Sequence, residues 1–253
     1  MNLTDVLIQP FCLRFSLHED EIVYHMAGHA DMQLDRMELL MGVDPTRQTL
    51  FGANCGFLPV ATTVLIRGAR TIVVDPGNHH VGFYGSLGLA LKRFGLTPDD
   101  LDMVICTHSH HDHMASAGMF GEAELVIGAG ELDFARMVYG AAETDARLGR
   151  HRAVSEVSAD AVTEVAPGVF CVPTPGHTPG HLSVIVDDQR GRSLIAGDLV
   201  MTRAEWQEGA FSHWYSSEQR LQLQAGVARV RKLGVIYVLP GHDRGFAVAG
   251  GAA

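Results

Sequence analysis

A chain of 253 residues that is 47% hydrophobic is long enough to bury a sizeable core as one large domain spanning 1–253, and 19% charged residues argue against disorder. Nineteen basic against 29 acidic side chains give a formal charge of −10, which repels a polyanion unless cations cluster. The densest cationic group, Arg147, Arg150 and Arg152, sits in a polar stretch and reads as a solvated face, so no nucleic-acid partner is expected. Four widely spaced cysteines form no CxxC pair, and Cys106 and Cys171 lie in apolar runs as reduced core residues. The opening MNLTDVLIQP lacks a cationic start and a long apolar stretch, so neither a signal peptide nor a membrane span is expected, and the expected location is cytoplasmic.

In chain order, residues 3–9 and 22–26 have the composition of short strands. Between 28 and 57 the pattern is irregular, and Met37, Leu39, Leu40 and Met41 fit a turn of core helix or the mouth of a pocket equally well. Val60 to Ile66 and Thr71 to Val74 are β-rich runs around a hairpin signature, followed by Asp75-Pro76-Gly77 and by two further histidines, His79 and His80, read as surface or pocket-rim groups. Ser86 to Phe94 suits an amphipathic helix ended by Gly95, and Thr97-Pro98-Asp99-Asp100 opens another short one. Such alternation of strand and helix predicts an α/β sheet with helices on its outer face.

The apolar run Met103 to Cys106 then ends in a cluster of imidazoles and one carboxylate, THSHHDH. Side chains at alternate positions of an extended segment point the same way, so His108 and His110 can converge on one cation. Asp112 and His113 fall at the start of a helix predicted over 114–120 and can face a second cation. Imidazole nitrogen and carboxylate oxygen suit zinc and neighbouring transition metals. Further on come a strand at 125–127, helices at 131–138 and 141–148, and a hairpin over 162–172 that enters the rigid loop TPGHTPGH with His177 and His181. A hairpin of 182–186 with 193–196 delivers Gly197-Asp198, whose two carboxylate oxygens can bridge two cations. An irregular aromatic stretch at 201–215 holds Trp206, Phe211, His213, Trp214 and Tyr215, which fit either a staple of that loop to the core or a substrate wall. A helix at 217–233 and a strand at 235–239 lead to Pro240-Gly241-His242.

The ordered set VVDPG, THSHHDH, TPGHTPGH, IAGD and LPGHD resembles the metallo-β-lactamase superfamily over Ile66 to about His242. That resemblance implies a four-layer αβ/βα sandwich, two mixed sheets with helices on the outer faces. It implies that His108, His110 and His177 hold one metal, that Asp112, His113 and His242 hold the other, and that Asp198 bridges them. Asp75 would support the His-rich loop without ligating, and His181 would be a hydrogen-bonded structural residue. The cofactor expected is a pair of divalent ions, zinc first, with manganese, cobalt or iron compatible.

Within the superfamily the chain is most similar to the N-acyl homoserine lactone lactonases that quench quorum signals. It keeps the full ligand set at intervals of 67 from His110 to His177, 21 to Asp198 and 44 to His242. Glyoxalase II relatives add a C-terminal helical domain, whereas eleven residues follow His242 here; true β-lactamases lack the bridging Asp or replace His113; flavodiiron relatives carry Glu where this chain has His110. The expected reaction is opening of a lactone or small carboxylic ester by a metal-bridging hydroxide, with Asp112 passing the proton to the leaving group. Alternatives are an arylester or phosphotriester hydrolase, or a mononuclear iron persulfide dioxygenase. One departure concerns the substrate carbonyl: the lactonases usually carry Tyr three residues after the bridging Asp, and Met201 stands there, leaving His213, Trp214 or Tyr215 as substitutes. Expected partners are a small lactone or ester, with no membrane and no nucleic acid, and a homodimer is compatible with the sequence.

Overall fold

Period-two alternation gives each central strand two apolar faces, and the chain uses both. In the computed structural model, which describes residues 1–18, 21–27, 55–77, 83–148, 151–209, 211–212 and 215–248, the strands form two six-stranded sheets and a smaller one. The first sheet runs β1 (Leu3–Ile8), β5 (Thr63–Arg67), β6 (Thr71–Val74), β7 (Met103–Ile105), β8 (Glu124–Gly128), β9 (Ala153–Val157). The second runs β10 (Thr163–Ala166), β11 (Val169–Pro173), β12 (Leu182–Asp188), β13 (Gly191–Gly197), β14 (Tyr237–Pro240), β15 (Phe246–Ala247). A three-stranded sheet orders β3 (Glu21–Ala27), β2 (Phe11–His18) and β4 (Cys55–Val60). Both large sheets are mixed, with parallel pairs β6/β7, β7/β8 and β8/β9 in the first and β13/β14 in the second.

The inner faces meet directly. Val64, Ile66, Ile72, Val74, Met103 and Ile105 of the first sheet pack against Val169, Cys171, Val184, Val186, Ile195 and Leu239 of the second. Leu65, Val73, Val104 and Leu125, one position out of phase, face α1 (Phe83–Lys92) through Leu87 and Leu91. On the far side Ile185, Leu194 and Val238 meet α6 (Ser217–Lys232) through Leu223, Val227 and Val230. Each such side chain contributes about 1.5–3 kcal/mol of burial, and the order helix, sheet, sheet, helix is the four-layer arrangement expected. Polar staples fix the sheets to one another: the Asn2 amide donates to Pro167 O at 3.0 Å, Thr4 and Gln189 exchange two bonds, and Thr62 Oγ1 donates to Pro240 O at 2.7 Å.

Most expected elements are present, including α3 (Glu131–Tyr139), α4 (Ala141–Leu148) and the hairpin β12/β13. Three differ. The stretch 201–215 contains α5 (Arg203–Glu208), started by a Thr202 cap and Glu205 whose carboxylate reaches back to Met201 N at 2.6 Å. Ala153–Val157, for which the sequence suggested no element, pairs as an edge strand. The helix expected over 114–120 is instead α2 (His111–Met114) followed by a 3-10 turn at Ala117–Met119. Its ladder breaks because Ser116 N donates to Pro76 O at 2.7 Å instead of continuing the helix. The readings at Met37 to Met41, His79, His80, His213 and Trp214 lie outside the described residues. No helix among the described residues is long and apolar enough to cross a membrane.

Gly77 lets this loop approach: a Cβ there would overlap the Asp112 carbonyl and come within 2.6 Å of His113 N. Gly77→Ala is expected to cost about 1–3 kcal/mol through overpacking, lowering the thermal midpoint by several degrees. An unchanged midpoint in thermal denaturation would show that the contact is not a constraint.

Candidate metal centre

Five chain segments end at one spot, the carboxyl ends of β6, β7, β11, β13 and β14, where α/β sheets present their ligands. After β7 the backbone runs Cys106-Thr107-His108, keeps His110 extended (φ −66°, ψ 149°), and turns into α2, which the fully buried Met114 anchors in the core. That turn aims Asp112 and His113 back at the strand ends. Three groups of side chains come together: His108, His110 and His177; His108, His113 and Asp198; and Asp112, His113 and His242.

The spacing suits cations. His110 Nδ1 lies 3.1 Å from His108 Nε2 and 2.9 Å from His177 Nε2. Asp198 Oδ2 is 3.2 Å from His177 Nε2, and its other oxygen is 3.2 Å from His113 Nε2 and 3.4 Å from His242 Nε2. Asp112 Oδ2 sits 3.3 Å from His242 Nε2 and 3.7 Å from His113 Nε2. A tetrahedral ion with bonds of about 2.0–2.1 Å separates its ligand atoms by roughly 3.3–3.4 Å, close to these distances. His113 Nε2 and Asp198 Oδ1 are buried 3.2 Å apart and neither has a partner in hydrogen-bond geometry, so their mutual charge is what offsets their burial when no cation lies between them. The all-nitrogen-and-oxygen donor set and these orphaned atoms fit a divalent metal.

The shell behind the donors fixes their orientation. Asp75 accepts from Thr107 N (2.7 Å), Thr107 Oγ1 (2.8 Å) and His113 Nδ1 (2.8 Å), leaving His113 Nε2 to face the centre. Asp75 has φ 53°, the only positive φ of a non-glycine among the described residues, a strain of about 1–3 kcal/mol that its three bonds hold in place. His181 Nε2 accepts from Asp198 N at 3.0 Å and its Nδ1 pairs with Thr174 Oγ1 at 2.9 Å, which makes it a clamp on the Asp198 peptide. Tyr215 places its hydroxyl 2.5 Å from His177 Nδ1 and is itself only 4% exposed. Met201 is 2% exposed within the apolar cluster on the outer face of the second sheet, and Trp206 is packed there under the Arg231 guanidinium. Neither side chain is among the groups that converge at the centre. Instead Met201 O accepts from His242 N at 2.9 Å.

Two aromatic groups near the His-rich turn, one of them against a donor ring, escaped the sequence reading. Phe134 of α3 lies 6.3 Å from the His110 ring, and Tyr139 stacks on His111 at 4.3 Å. Both are partly exposed. No spacing pointed to either: Tyr139 lies one residue past the helix predicted over 131–138, and residues five apart do not share a helix face.

Electrostatics divides the imidazoles. Burial pushes His108, His110 and His177 below the usual imidazole value, leaving neutral rings with lone pairs to donate. Burial opposes charge on His113 and His242 as well, but the carboxylates of Asp198, Asp112 and, for His113, Asp75 overcome it, raising His113 well above its usual value and His242 to about 9. Burial acts against ionisation of Asp112, yet His113 and His242 bring it down to about 2.

The family description "Metallo-beta-lactamase superfamily" matches residues 55–242, and the chain belongs to that superfamily. This makes it a metal-dependent hydrolase. It is 31% identical over 192 residues to metallo-beta-lactamase domain-containing protein 1 of Xenopus laevis, covering 74% of this chain and 72% of the relative. It is 29% identical over 162 residues to an N-acyl homoserine lactonase of Bacillus thuringiensis, covering 60% of each chain. Among solved structures, a metallo-beta-lactamase-type protein of Thermotoga maritima superposes with a TM-score of 0.65 at 19% identity, over 98% of this chain and 99% of that one. An N-acyl homoserine lactone hydrolase, holding its product N-hexanoyl-L-homoserine at the catalytic metal centre, superposes with a TM-score of 0.62 at 18% identity, over 96% and 92%. At these identities the structural likenesses establish the fold.

Two outcomes test the centre. A raised folded-state value means that the proton on His242 stabilises the metal-free fold fully below about pH 6.5 and is lost as pH rises through about 9. Chelator-treated protein should lose thermal stability between those values, and metal added at pH 7 should release protons; a flat midpoint with no proton release would contradict it. Tyr215→Phe removes the acceptor for His177 Nδ1–H and is expected to weaken metal affinity about 10–100-fold with the fold intact. Unaltered affinity in chelator competition would remove Tyr215 from the centre.

Proposed function

We propose that the chain is a dinuclear-metal hydrolase that opens a lactone or small carboxylic ester. The observation that carries this reading is Asp198, whose Oδ2 faces His177 at 3.2 Å while its Oδ1 faces His113 at 3.2 Å and His242 at 3.4 Å. A carboxylate with each oxygen turned to a different imidazole cluster is arranged to bridge. His108, His110 and His177 would hold one ion and Asp112, His113 and His242 the other. Zinc suits these donors first, and manganese, cobalt or iron remain compatible. Bound there, the ions supply an acidified water and an electrophile for the carbonyl oxygen.

The protein's own groups do the rest. Asp112 is held as an anion by His113 and His242 and keeps 14% of its side chain exposed, so it can take a proton from the attacking water. As the new C–O bond forms and the ring C–O bond breaks, that proton passes from Asp112 to the departing alkoxide, and the balance closes without another reactant. Phe134 offers an apolar wall on the His110 side, which favours an uncharged acyl compound over a phosphorylated one. With Met201 buried, the carbonyl-binding role of the lactonases' usual Tyr falls to no described side chain at that position. Long acyl-amide tails are then not required, and the lactonase likeness supports the reaction more strongly than any one quorum signal. A cytoplasmic enzyme acting on a small molecule is the setting this reading assumes.

A panel of acyl homoserine lactones, γ- and δ-lactones, aryl esters, a phosphotriester and glutathione persulfide, followed by proton release and product detection, tests the proposal. Lactone turnover that falls at least 100-fold in Asp112→Asn is expected. Persulfide oxidation, or aryl ester or phosphotriester turnover with every lactone inert, would overturn the lactone assignment.

A further inference from the structure

Glu131, the first residue of α3, is fully buried, yet it is absent from the donor groups at the centre. Its Oε1 accepts from Ser109 N at 2.9 Å and Ser109 Oγ at 2.7 Å. Its Oε2 accepts from Thr178 Oγ1 at 2.8 Å and Gly180 N at 2.9 Å. Four donors converge on one group, and only an acceptor-only carboxylate satisfies them all. Charge-assisted bonds of this kind are about twice as strong as neutral ones.

The positions of these partners matter more than their number. Ser109 stands between His108 and His110, and Thr178 follows His177. The carboxylate therefore ties together the two loops that carry the first cluster, from residues 22 and 47 positions away in the chain. The second cluster rests on other supports, Asp75 behind His113 and Met201 O behind His242 N. A side chain that grips one donor set and not its neighbour can set the two sites apart.

We infer that Glu131 is a positioning residue for the first cluster alone: it holds His108, His110 and His177 at the separation that captures one of the two ions and leaves the other site untouched. This rests on the two-ion reading above. In Glu131→Gln an amide NH₂ must meet one pair of donors whichever way it turns; a serine or threonine hydroxyl can rotate to accept, but the Ser109 and Gly180 backbone N–H groups cannot. One loop is then released from the other.

The test is zinc binding by chelator competition on the full chain, with thermal midpoints measured alongside. Wild type is expected to bind two equivalents; Glu131→Gln should weaken one about 10–100-fold and leave the second at wild-type affinity. Thr178→Val, a milder change that removes one donor and keeps the shape, should weaken the same equivalent to a smaller degree and keeps the test open if the Gln variant fails to fold. Val230→Ala, in the outer core, should lower the midpoint without altering either affinity. Adding Glu131→Gln to His110→Ala should cost the remaining equivalent nothing further. Wild-type affinity for both equivalents in a folded Glu131→Gln or Thr178→Val variant, or equal weakening of both, overturns the role of Glu131. Failure of wild type itself to take up two equivalents would instead count against the two-ion reading.

Discussion

One buried carboxylate placed between two sets of imidazoles sets the terms for the rest of the molecule. Asp198 is 5% exposed, leaves β13 at a glycine with φ 54°, and has its own peptide N–H held by His181. Removing such a group from water costs several kcal/mol unless charge returns to it, and here His113 and His242 return it in the metal-free state. Protons and divalent ions therefore compete for one balance of charge. The same geometry that draws protons onto His113 and His242 prepares the centre for metal, and the burial that depresses His108, His110 and His177 keeps their lone pairs free.

The sandwich makes that placement possible. Parallel pairing of β6 with β7 and of β13 with β14 sends four strand ends the same way, and the staples at Asn2, Gln189 and Thr62 keep the two sheets in register. Loops then need to be aimed rather than built, and buried polar side chains do the aiming. Asp75 serves α2, His181 serves Asp198, Tyr215 serves His177, and the Glu205 carboxylate holds the Met201 backbone whose carbonyl holds His242. Burial, with the Asp198 charge adding to it, raises Glu205 to about 8.

How much of this was legible in the chain depends on range. His108, His110, Asp112 and His113 lie within six positions, so their convergence follows from strand and helix geometry, and the unbroken apolar runs Val64-Leu65-Ile66 and Met103-Val104-Ile105 announce strands buried on both faces. Helix α5 was also announced, by Thr202 and Glu205 at capping-box spacing, but the aromatic residues in and after it obscured that signal. Strand β9 carries alternating polar residues on a sheet edge, where burial writes no signal. Glu131 was invisible for a different reason: an acidic residue opening a helix is ordinary, and only the fold brings Ser109, Thr178 and Gly180 onto it. Tyr215 was singled out as a substrate contact, and its hydroxyl lies against the back of His177, a relation that no spacing encodes.

The central claim is that Asp198 joins two cation sites, and anomalous X-ray scattering at the metal absorption edge, from crystals of the protein grown with its bound metal, tests it most directly. Two peaks per chain, about 3.5–4 Å apart and one on each side of the Asp198 carboxylate, are expected. A single peak among His108, His177 and Asp198, or none, would contradict it.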